Sequence, residues 1–388
     1  MAAKPHALII GAGFTGCATA HDLALRGFAV TVVERGDIAS GTSGRTPGLL
    51  HSGGRYCVGD RESAIECIEE NGILRRIASQ CIEPNGGLFV ALDESDMTFA
   101  DAFQEGAAAC GIPARRLTRE ETLRLEPNLN PKLLGAFEVP DGTFDPLRLA
   151  LTFAATAKAS GARFMTYTEV EGLILDGQGS VSGARLWNRQ TGMRFTINAD
   201  IVVNAAGAWS GQIAELAHAK VTIKPTPGVM VAYDRRLTQR AINRLNKPSD
   251  GDIILPQRRM VIVGTTSFDV SNPDYVPMVE EQIILMLRRG AELVPGLLQA
   301  RQRGAYMSTR PLVGGGSGRS IARTFKCFDH QESDGIGGLV TITGGKATTL
   351  RKMAEQTADV VCAKLGISAP CRTKETPLLS YRRYFANM

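Results

Sequence analysis

The sequence predicts an α/β protein with two domains, one built on a parallel sheet and the other on an antiparallel sheet. First, an apolar run at 7–10 leads into a glycine turn and a helical segment, and a second apolar run ends at Glu34. Second, residues 162–198 alternate apolar and polar side chains, and residues 220–267 are rich in strand formers and prolines. Third, a chain of 388 residues is longer than one ordinary hydrophobic core supports.

The N-terminal strand, turn and helix form a Rossmann-like unit that predicts dinucleotide binding. Gly11 permits the tight turn after the first strand, Gly13 permits close approach of a pyrophosphate, and Gly16 permits close packing of the helix. The N–H groups that begin the helix bind the anion. Glu34 stands near the offset at which an acid accepts hydrogen bonds from the adenosine ribose. These residues alone do not separate FAD from NAD.

Composition narrows the functional classes. Charged residues make up 21% of the chain and the formal net charge is +5, which is ordinary for a globular protein. No basic run interleaved with aromatic residues suggests nucleic-acid binding. The 8 cysteines form no close pair, so the sequence offers no evident zinc or iron–sulfur site and fits a reducing cytoplasm. There is no signal peptide pattern and no apolar run long enough to span a bilayer, so we expect any membrane contact to be indirect.

Several segments carry local signals for helices. Thr118 and Glu121 form a capping-box pattern, and Asp145 followed by Pro146 predicts an N-cap and first helical residue. Further helices are expected at 60–80, 98–110, 277–290 and 347–365.

Two glycine-bearing stretches are candidate ligand contacts. The polar loop that follows Glu34 contains Arg35, Thr42 and Ser43, and we expect it to wrap the phosphates or ribityl chain of the same cofactor. The predicted strand at 200–204 is followed by the small residues Ala206 and Gly207, which predict a second contact to the nucleotide.

These stretches together resemble the FAD-dependent glycerol-3-phosphate dehydrogenases, within the broader D-amino-acid-oxidase-like flavoproteins, and most nearly the large subunits of the anaerobic enzymes. The resemblance extends over nearly the whole chain. It is carried by Gly11-Ala-Gly-Phe-Thr-Gly16, Val33 to Thr42, Gly48-Leu-Leu-His-Ser-Gly-Gly-Arg-Tyr56, Pro140 to Pro146, Lys247 to Asp250, Gly264 to Ser267, Arg310-Pro-Leu312 and Thr341-Ile-Thr-Gly-Gly-Lys346.

The resemblance implies FAD as cofactor and oxidation of sn-glycerol 3-phosphate to dihydroxyacetone phosphate, with electrons passed to a quinone or a partner subunit. It places the catalytic site at His51, Arg55, Arg310, Arg323 and Lys346. The predicted cofactor contacts are Gly11, Gly13, Gly16, Glu34, Arg35, Thr42, Ser43, His51, Gly53, Val170, Ala206, Gly207, Gly345, Lys346, Ala347 and Thr348.

The residue types suit that chemistry. Arginine forks bind a phosphate dianion and keep their charge. A neutral histidine can accept the proton of the C2 hydroxyl while hydride passes to the flavin, and we assign this role to His51 as a hypothesis.

The family architecture interleaves the two domains, giving a glutathione-reductase-type FAD domain and an antiparallel-sheet substrate domain. The predicted FAD domain comprises 1–80, 145–213 and 330–370, the substrate domain comprises 81–144 and 214–329, and 371–388 form a tail. We expect a cytoplasmic protein, held at the inner face of a membrane through partner subunits.

The chain departs from the family pattern at several positions. Pro227-Gly-Val229 stands where aerobic members have a histidine, Leu350 stands where tyrosine is frequent, and the loop Gly314 to Gly318 is rich in glycine. The cysteine-rich C-terminal domain of the anaerobic enzymes' large subunits has no counterpart in the sequence, which leaves the electron exit open. Three alternatives stay open: a dehydrogenase of another phosphorylated polyol, 2-hydroxy acid or amino acid, an oxidase that reduces oxygen, and a non-catalytic FAD-binding relay subunit.

Overall fold

The computed structural model describes residues 4–314 and 324–386. In chain order the strands are β1 His6–Ile10, β2 Ala29–Val33, β3 Leu49–Leu50, β4 Ile82–Glu83, β5 Gly87–Ala91, β6 Arg115–Thr118, β7 Gly135–Val139, β8 Gly142–Phe144, β9 Arg163–Met165, β10 Thr168–Leu175, β11 Val181–Asn188, β12 Arg194–Asn198, β13 Ile201–Asn204, β14 Ile223–Tyr233, β15 Ala241–Arg244, β16 Ile253–Gln257, β17 Met260–Gly264, β18 Gln302–Val313, β19 Phe325–Asp329 and β20 Leu339–Gly344. The α-helices are α1 Phe14–Leu25, α2 Arg61–Ile77, α3 Glu94–Thr98, α4 Ala100–Ala109, α5 Arg119–Leu125, α6 Pro146–Ala159, α7 Ser210–Glu215, α8 Glu280–Leu293, α9 His330–Asp334 and α10 Leu350–Lys364. Short 3-10 turns occupy Ser43–Arg45, Ser79–Cys81, Gly207–Trp209, Pro295–Gln299, Ala347–Thr349 and Tyr381–Tyr384.

The first domain is built on a sheet with strand order β19-β20-β13-β1-β2-β9. Strands β20, β13, β1, β2 and β9 run parallel, and β19 joins the edge antiparallel to β20. Because β1 is central, both of its faces are covered, and Ala7 to Ile9 are fully buried. The glycine turn after β1 therefore lies at the carboxyl edge of the sheet, where ligands of such folds bind.

The second domain is built on a sheet with order β18-β14-β17-β16-β15-β5-β7-β6. Neighbouring strands pair antiparallel except β15 and β5, which pair in parallel. The predicted mixed architecture is confirmed. Strands β5 to β7 come from the predicted segment 81–144 and strands β14 to β18 from 214–329, so two distant pieces of chain share one sheet.

The alternating stretch at 162–198 divides between two sheets. Strands β10, β11 and β12 form a small antiparallel sheet, as alternation predicts. Strand β9, however, pairs in parallel with β2 in the first sheet. Strand β19 also lies in the first sheet, although the predicted boundary at 329/330 assigns it to the substrate domain.

The C-terminal segment packs on the first domain. The Leu378 backbone N–H donates to the Ile77 carbonyl at 2.8 Å, and the Leu379 N–H donates to Thr156 Oγ1 at 3.0 Å. Leu378 is buried in the same hydrophobic cluster as α1 and α6. Residues 371–386, predicted as a tail, therefore make ordered contacts with the domain that contains β1.

Two features are absent from the described residues. Helices within 4–314 and 324–386 lack the combined length and apolarity needed to cross a membrane. The same residues contain no group of three or more His, Cys, Asp or Glu arranged to hold a metal ion.

Candidate functional site

A cleft of about 1170 Å³ lies where the two sheets meet. Its walls include the turn after β1, the loop at 40–47, the end of β20 and, from the second domain, Gly228, Met230 and Arg310. A cleft of this volume has room for an extended ligand that contacts both domains.

The turn after β1 has the geometry that the glycine motif predicts. Gly11 has φ +103°, and a Cβ at Gly16 would lie 1.8 Å from the Gly11 carbonyl oxygen. Gly16 thus permits the approach of α1 to the turn and does not line the cleft. A Cβ at Gly13 would lie 2.9 Å from Ser43 Oγ, in space at the cleft wall. Helix α1 begins at Phe14, whose N–H donates to Ser43 Oγ, and its positive end lies at the cleft, where an anion is favoured.

Glu34 is fixed at the end of β2 by backbone donors. Its Oε2 accepts from the Ala12 N–H at 2.9 Å and its Oε1 accepts from the Gly36 N–H at 2.8 Å. The carboxylate lines the cleft beside the glycine turn. From this position a carboxylate can accept hydrogen bonds from the hydroxyl groups of a ribose.

The loop after β2 ties the two domains together. Thr42 Oγ1 donates to the Thr309 carbonyl of β18 at 2.7 Å, and Ser308 Oγ donates to the Thr42 carbonyl at 3.3 Å. Ser43 Oγ accepts from the Phe14 N–H at 2.9 Å, at the start of α1. Thr42 and Ser43 both line the cleft, so each is placed where a bound cofactor could reach it.

Arg35 lies at the same end of the cleft as Glu34. Its guanidinium carbon lies 4.4 Å from the centre of the Trp209 ring, and its Nη2 lies 2.8 Å from Asp274 Oδ1. Trp209 and Asp274 also line the cleft. The motif predicts Arg35, whereas Asp274 comes from the second domain and carries no local signal.

His51 lies at the cleft wall next to Tyr56, with 5.3 Å between the ring centres. Its backbone is held on both sides, because its N–H donates to Thr348 Oγ1 at 3.0 Å and its carbonyl accepts from Asn71 Nδ2 at 3.0 Å. Burial, reinforced by the charges of Arg55 and Lys346, lowers the pKa of the His51 imidazole to about 3. The ring is therefore neutral at physiological pH, with its nitrogens unprotonated except for the one N–H of the neutral imidazole.

Arg55 lines the cleft and is oriented from behind by Asp252. The Arg55 Nη2 to Asp252 Oδ1 distance is 2.7 Å, and both side chains are buried. Asp252 Oδ2 in turn accepts from the Ser249 N–H at 2.7 Å. Asp252 is missed by sequence reasoning, although it stands two positions after the motif Lys247 to Asp250.

Arg310 reaches the cleft from β18. Its Nη2 donates to the Thr265 hydroxyl and, at 3.0 Å, to the Thr266 carbonyl. Its Nη1 donates to the Thr226 carbonyl at 3.4 Å. These contacts fix the guanidinium on the second-domain wall of the cleft.

Lys346 follows β20 and lines the cleft from the first domain. Its Nζ lies 3.8 Å from Glu66 Oε2 and 5.2 Å from the centre of the Tyr56 ring. Burial raises the pKa of the Glu66 carboxyl, and the charge of Lys346 opposes that shift. Glu66, on α2, is a second residue that sequence reasoning misses.

The remaining predicted residues fall into three groups. Val170, Ala206, Gly207, Gly345 and Ala347 line the cleft. Gly53 and Thr348 lie behind the wall: a Cβ at Gly53 would lie 2.3 Å from the Ala64 carbonyl oxygen, and Thr348 supports His51. Arg323 and most of the loop Gly314 to Gly318 lie outside the described residues.

The chain is similar to several known proteins. Residues 6–350 match the family described as FAD dependent oxidoreductase. The chain is 45% identical over 376 residues to the A subunit of the anaerobic glycerol-3-phosphate dehydrogenase of Escherichia coli K12, covering 96% of this chain and 69% of that protein. It is 43% identical over 392 residues to the A1 subunit of the anaerobic enzyme of Haloferax volcanii, covering 97% of this chain and 67% of that protein.

Solved structures give the same architecture. The glycerol-3-phosphate dehydrogenase of Bacillus halodurans, complexed with FAD, aligns with a TM-score of 0.76 at 28% identity over 97% of this chain and 68% of that one. Glycine oxidase from Geobacillus kaustophilus aligns with a TM-score of 0.76 at 22% identity, over 95% and 97% of the two chains, which is a likeness of fold.

Proposed function

The chain belongs to the FAD dependent oxidoreductase family, among relatives of the large subunits of anaerobic glycerol-3-phosphate dehydrogenases, and we propose that it oxidises sn-glycerol 3-phosphate to dihydroxyacetone phosphate. The observation that carries the proposal is one cleft in which a dinucleotide-binding turn, a neutral histidine and the cations Arg55, Arg310 and Lys346 meet. A phosphorylated alcohol is the substrate that uses all of these groups.

The residues present fit FAD, the cofactor of this family. The space at Gly13 that a Cβ would fill, the start of α1 and the carboxylate of Glu34 would hold the pyrophosphate and the adenosine ribose. Bound FAD supplies the hydride acceptor for the reaction.

The chain's own residues bind and orient the substrate. Arg310 and Lys346 both line the cleft, one from each domain, and they bind the phosphate dianion in this proposal. Fixing the phosphate restricts the position of C2, which lowers the entropic part of the barrier.

His51 takes the proton in this scheme. Its lowered pKa leaves its ring neutral, and the hydroxyl proton of C2 moves to a ring nitrogen as the C–H bond is broken. Burial is the main reason that the imidazole stays uncharged before the substrate binds, and the charges of Arg55 and Lys346 reinforce it. Phosphate binding at Lys346 offsets the share of the shift that this cation causes and so raises the pKa of the His51 ring.

The electrons leave through a partner. Several relatives are named as the A or A1 subunits of anaerobic enzymes. We assign the same arrangement to this chain, with a partner subunit or a quinone as acceptor and a site of action at the inner face of a membrane. Co-purification of the tagged chain from its host under anaerobic growth tests this assignment, and recovery of the chain alone in active, quinone-reducing form would contradict the partner subunit.

The substrate is tested with a dye as artificial acceptor. sn-Glycerol 3-phosphate should yield dihydroxyacetone phosphate, and glycerol should be a poor substrate because it gives the cations nothing to bind. Arg310→Met should raise the KM for glycerol 3-phosphate at least tenfold, since a hydrogen bond to a charged group contributes about 1.5–3 kcal/mol. The same variant should leave the weak oxidation of glycerol unchanged. Equal use of glycerol and its phosphate by the parent enzyme would contradict the proposal.

A further inference from the structure

A segment of the second domain crosses to the first domain at one end of the cleft. Residues 265–279 connect β17 to α8. We refer to residues 268–275 as the strap. Its beginning is fixed to β14, because the Phe268 and Val270 N–H groups donate to the Pro227 and Pro225 carbonyls, each at 3.2 Å. Asp269 pairs with Lys224 of the same strand at 2.8 Å. The base of the strap is therefore part of the antiparallel sheet domain.

The tip of the strap contacts the first domain through one carboxylate oxygen. Asp274 Oδ1 accepts from Arg35 Nη2 at 2.8 Å and from Trp209 Nε1 at 3.0 Å. Arg35 follows β2 and Trp209 follows β13, so the two donors come from different strand ends. The Arg35 guanidinium also stacks on the Trp209 ring at 4.4 Å. Each of these three side chains therefore contacts the other two.

That set lies at the end of the cleft where Glu34 is held. Arg35, Trp209, Pro273 and Asp274 all line the cleft together with Glu34. Since Glu34 is the acid that suits an adenosine ribose, the strap covers the adenosine end of the site. His51, Arg310 and Lys346 belong to the substrate side, so the strap has no part in the chemistry.

We propose that Asp274 retains the cofactor: by accepting hydrogen bonds from both Arg35 and Trp209 of the first domain, it keeps the strap closed over the adenosine half of FAD and slows release of the cofactor. The proposal rests on FAD as the ligand of the cleft and not on the identity of the substrate.

The Asp274 contacts should affect mainly the rate at which the strap opens. Asp274 and Arg35 are 40% and 39% exposed, and an exposed ion pair alone stabilises little. Here the same carboxylate oxygen also accepts from Trp209, and the cation–π contact adds to the set. Both contacts of Asp274 must break before the strap lifts, whereas the Arg35–Trp209 contact lies within the first domain and holds the two donors in place. Loss of the Asp274 contacts should therefore accelerate opening more than it changes the fold.

The test measures release of FAD from the purified holoenzyme, without substrate, by the rise of free-flavin fluorescence after dilution. Asp274→Ala should accelerate release about tenfold, and Asp274→Asn, which can still accept from Trp209, should give an intermediate rate. High salt should accelerate release from the parent more than from either variant, because salt screens the Arg35 pair that the variants lack.

Asp269→Asn is the matched control, because Asp269 lies on the same strap, is exposed and pairs with Lys224 at its base. Its release rate should stay within twofold of the parent. Release from Asp274→Ala within twofold of the parent, or equal acceleration by Asp269→Asn, would overturn the proposal. The salt response of the parent tests it even if a variant fails to fold, and an absence of salt response would also count against it. A substrate other than glycerol 3-phosphate would leave these rates unaffected, so the two proposals fail separately.

Discussion

A methyl group at Gly16 would lie 1.8 Å from the Gly11 carbonyl oxygen, which is backbone and has no freedom to move aside. Gly16→Ala should therefore push α1 away from β1, destabilise the fold by at least about 2 kcal/mol and abolish FAD binding. Urea unfolding and the ratio of flavin to protein measure both effects. Gly72→Ala in α2 is the control: the nearest atom lies 3.9 Å away, and the change should stabilise the helix by about 0.5–1 kcal/mol. Normal flavin content in Gly16→Ala would refute this role of the turn.

His21, on the buried face of α1, predicts a pH dependence of stability. Neither of its ring nitrogens has a hydrogen-bond partner among the described residues, and burial lowers its pKa to about 4. In the unfolded chain the ring titrates near 6.5, so the unfolded state takes up a proton first as the pH falls. The free energy of unfolding therefore holds its full value with respect to His21 above pH 6.5. It falls as the pH drops from 6.5 to about 4, by on the order of 3 kcal/mol in total.

His21→Leu removes that titration and keeps an apolar side chain against Phe153. The free energy of unfolding of the variant should fall less steeply with decreasing pH than that of the parent. Parallel curves for parent and variant across this range would show that His21 does not titrate as its burial implies.

Residue-scale prediction succeeds where the signal is local. Gly11, Gly13 and Glu34 belong to one strand–turn–helix–strand unit, so their roles follow from spacing. Asp274 lies 239 positions from Arg35, and Asp252 lies 197 positions from Arg55. No pattern in a single sequence joins residues at such separations, because their proximity depends on how the two sheets pack.

At the scale of elements, α2 is the helix that positions the first-domain wall of the cleft. Its Asn71 Nδ2 donates to the carbonyls of His51 and Leu50, and its Glu66 lies beside Lys346. One turn after Glu66, Glu70 accepts from Arg351 Nε at 2.9 Å, with both side chains almost fully buried. Helix α2 thus fixes the junction between β20 and α10 by two acidic side chains.

Breaking the buried pair should be costly. Arg351→Met leaves the Glu70 carboxylate buried without its main counter-ion and should lower the free energy of unfolding by about 3–5 kcal/mol. Adding Glu70→Gln should restore part of that loss, because both charges are then absent. Lys352→Met, which breaks an exposed pair with Glu69, should cost less than about 1 kcal/mol. Additive effects of the Arg351 and Glu70 changes in urea unfolding would contradict this coupling.

The first residues of a helix could be predicted accurately where the sequence carries an N-cap pattern. The capping box of Thr118 and Glu121 is present, and Asp145 caps α6 with Pro146 at its first turn. Strand β9 could not be assigned to its sheet, because alternation of side chains specifies a strand and not its partner. The docking of Leu378 against Ile77 was missed for a related reason: a short segment without periodicity gives no sign of the surface that it covers.

At the scale of the whole molecule, the proposed function draws on residues that the two sheets contribute to one cleft. The first contributes the dinucleotide turn, His51 and Lys346, and the second contributes Arg310 and the strap with Asp274. The interleaved chain order makes this arrangement hard to predict from local patterns, and the resemblance to a known family supplied it. Hydrogen bonds between Thr42 and β18 join the two domains beside the cleft and so fix their relative position there.

The central claim is that hydride leaves C2 of sn-glycerol 3-phosphate while His51 accepts the hydroxyl proton. Anaerobic stopped-flow reduction of the bound flavin, with substrate carrying hydrogen or deuterium at C2, tests it most directly. The account predicts rapid bleaching, a several-fold slower rate with deuterium, and at least about a hundredfold slower rate in His51→Gln at unchanged flavin content. His218→Asn, at an exposed turn, should reduce at the parent rate. Bleaching that is absent, or that proceeds in His51→Gln at the parent rate, would contradict the account.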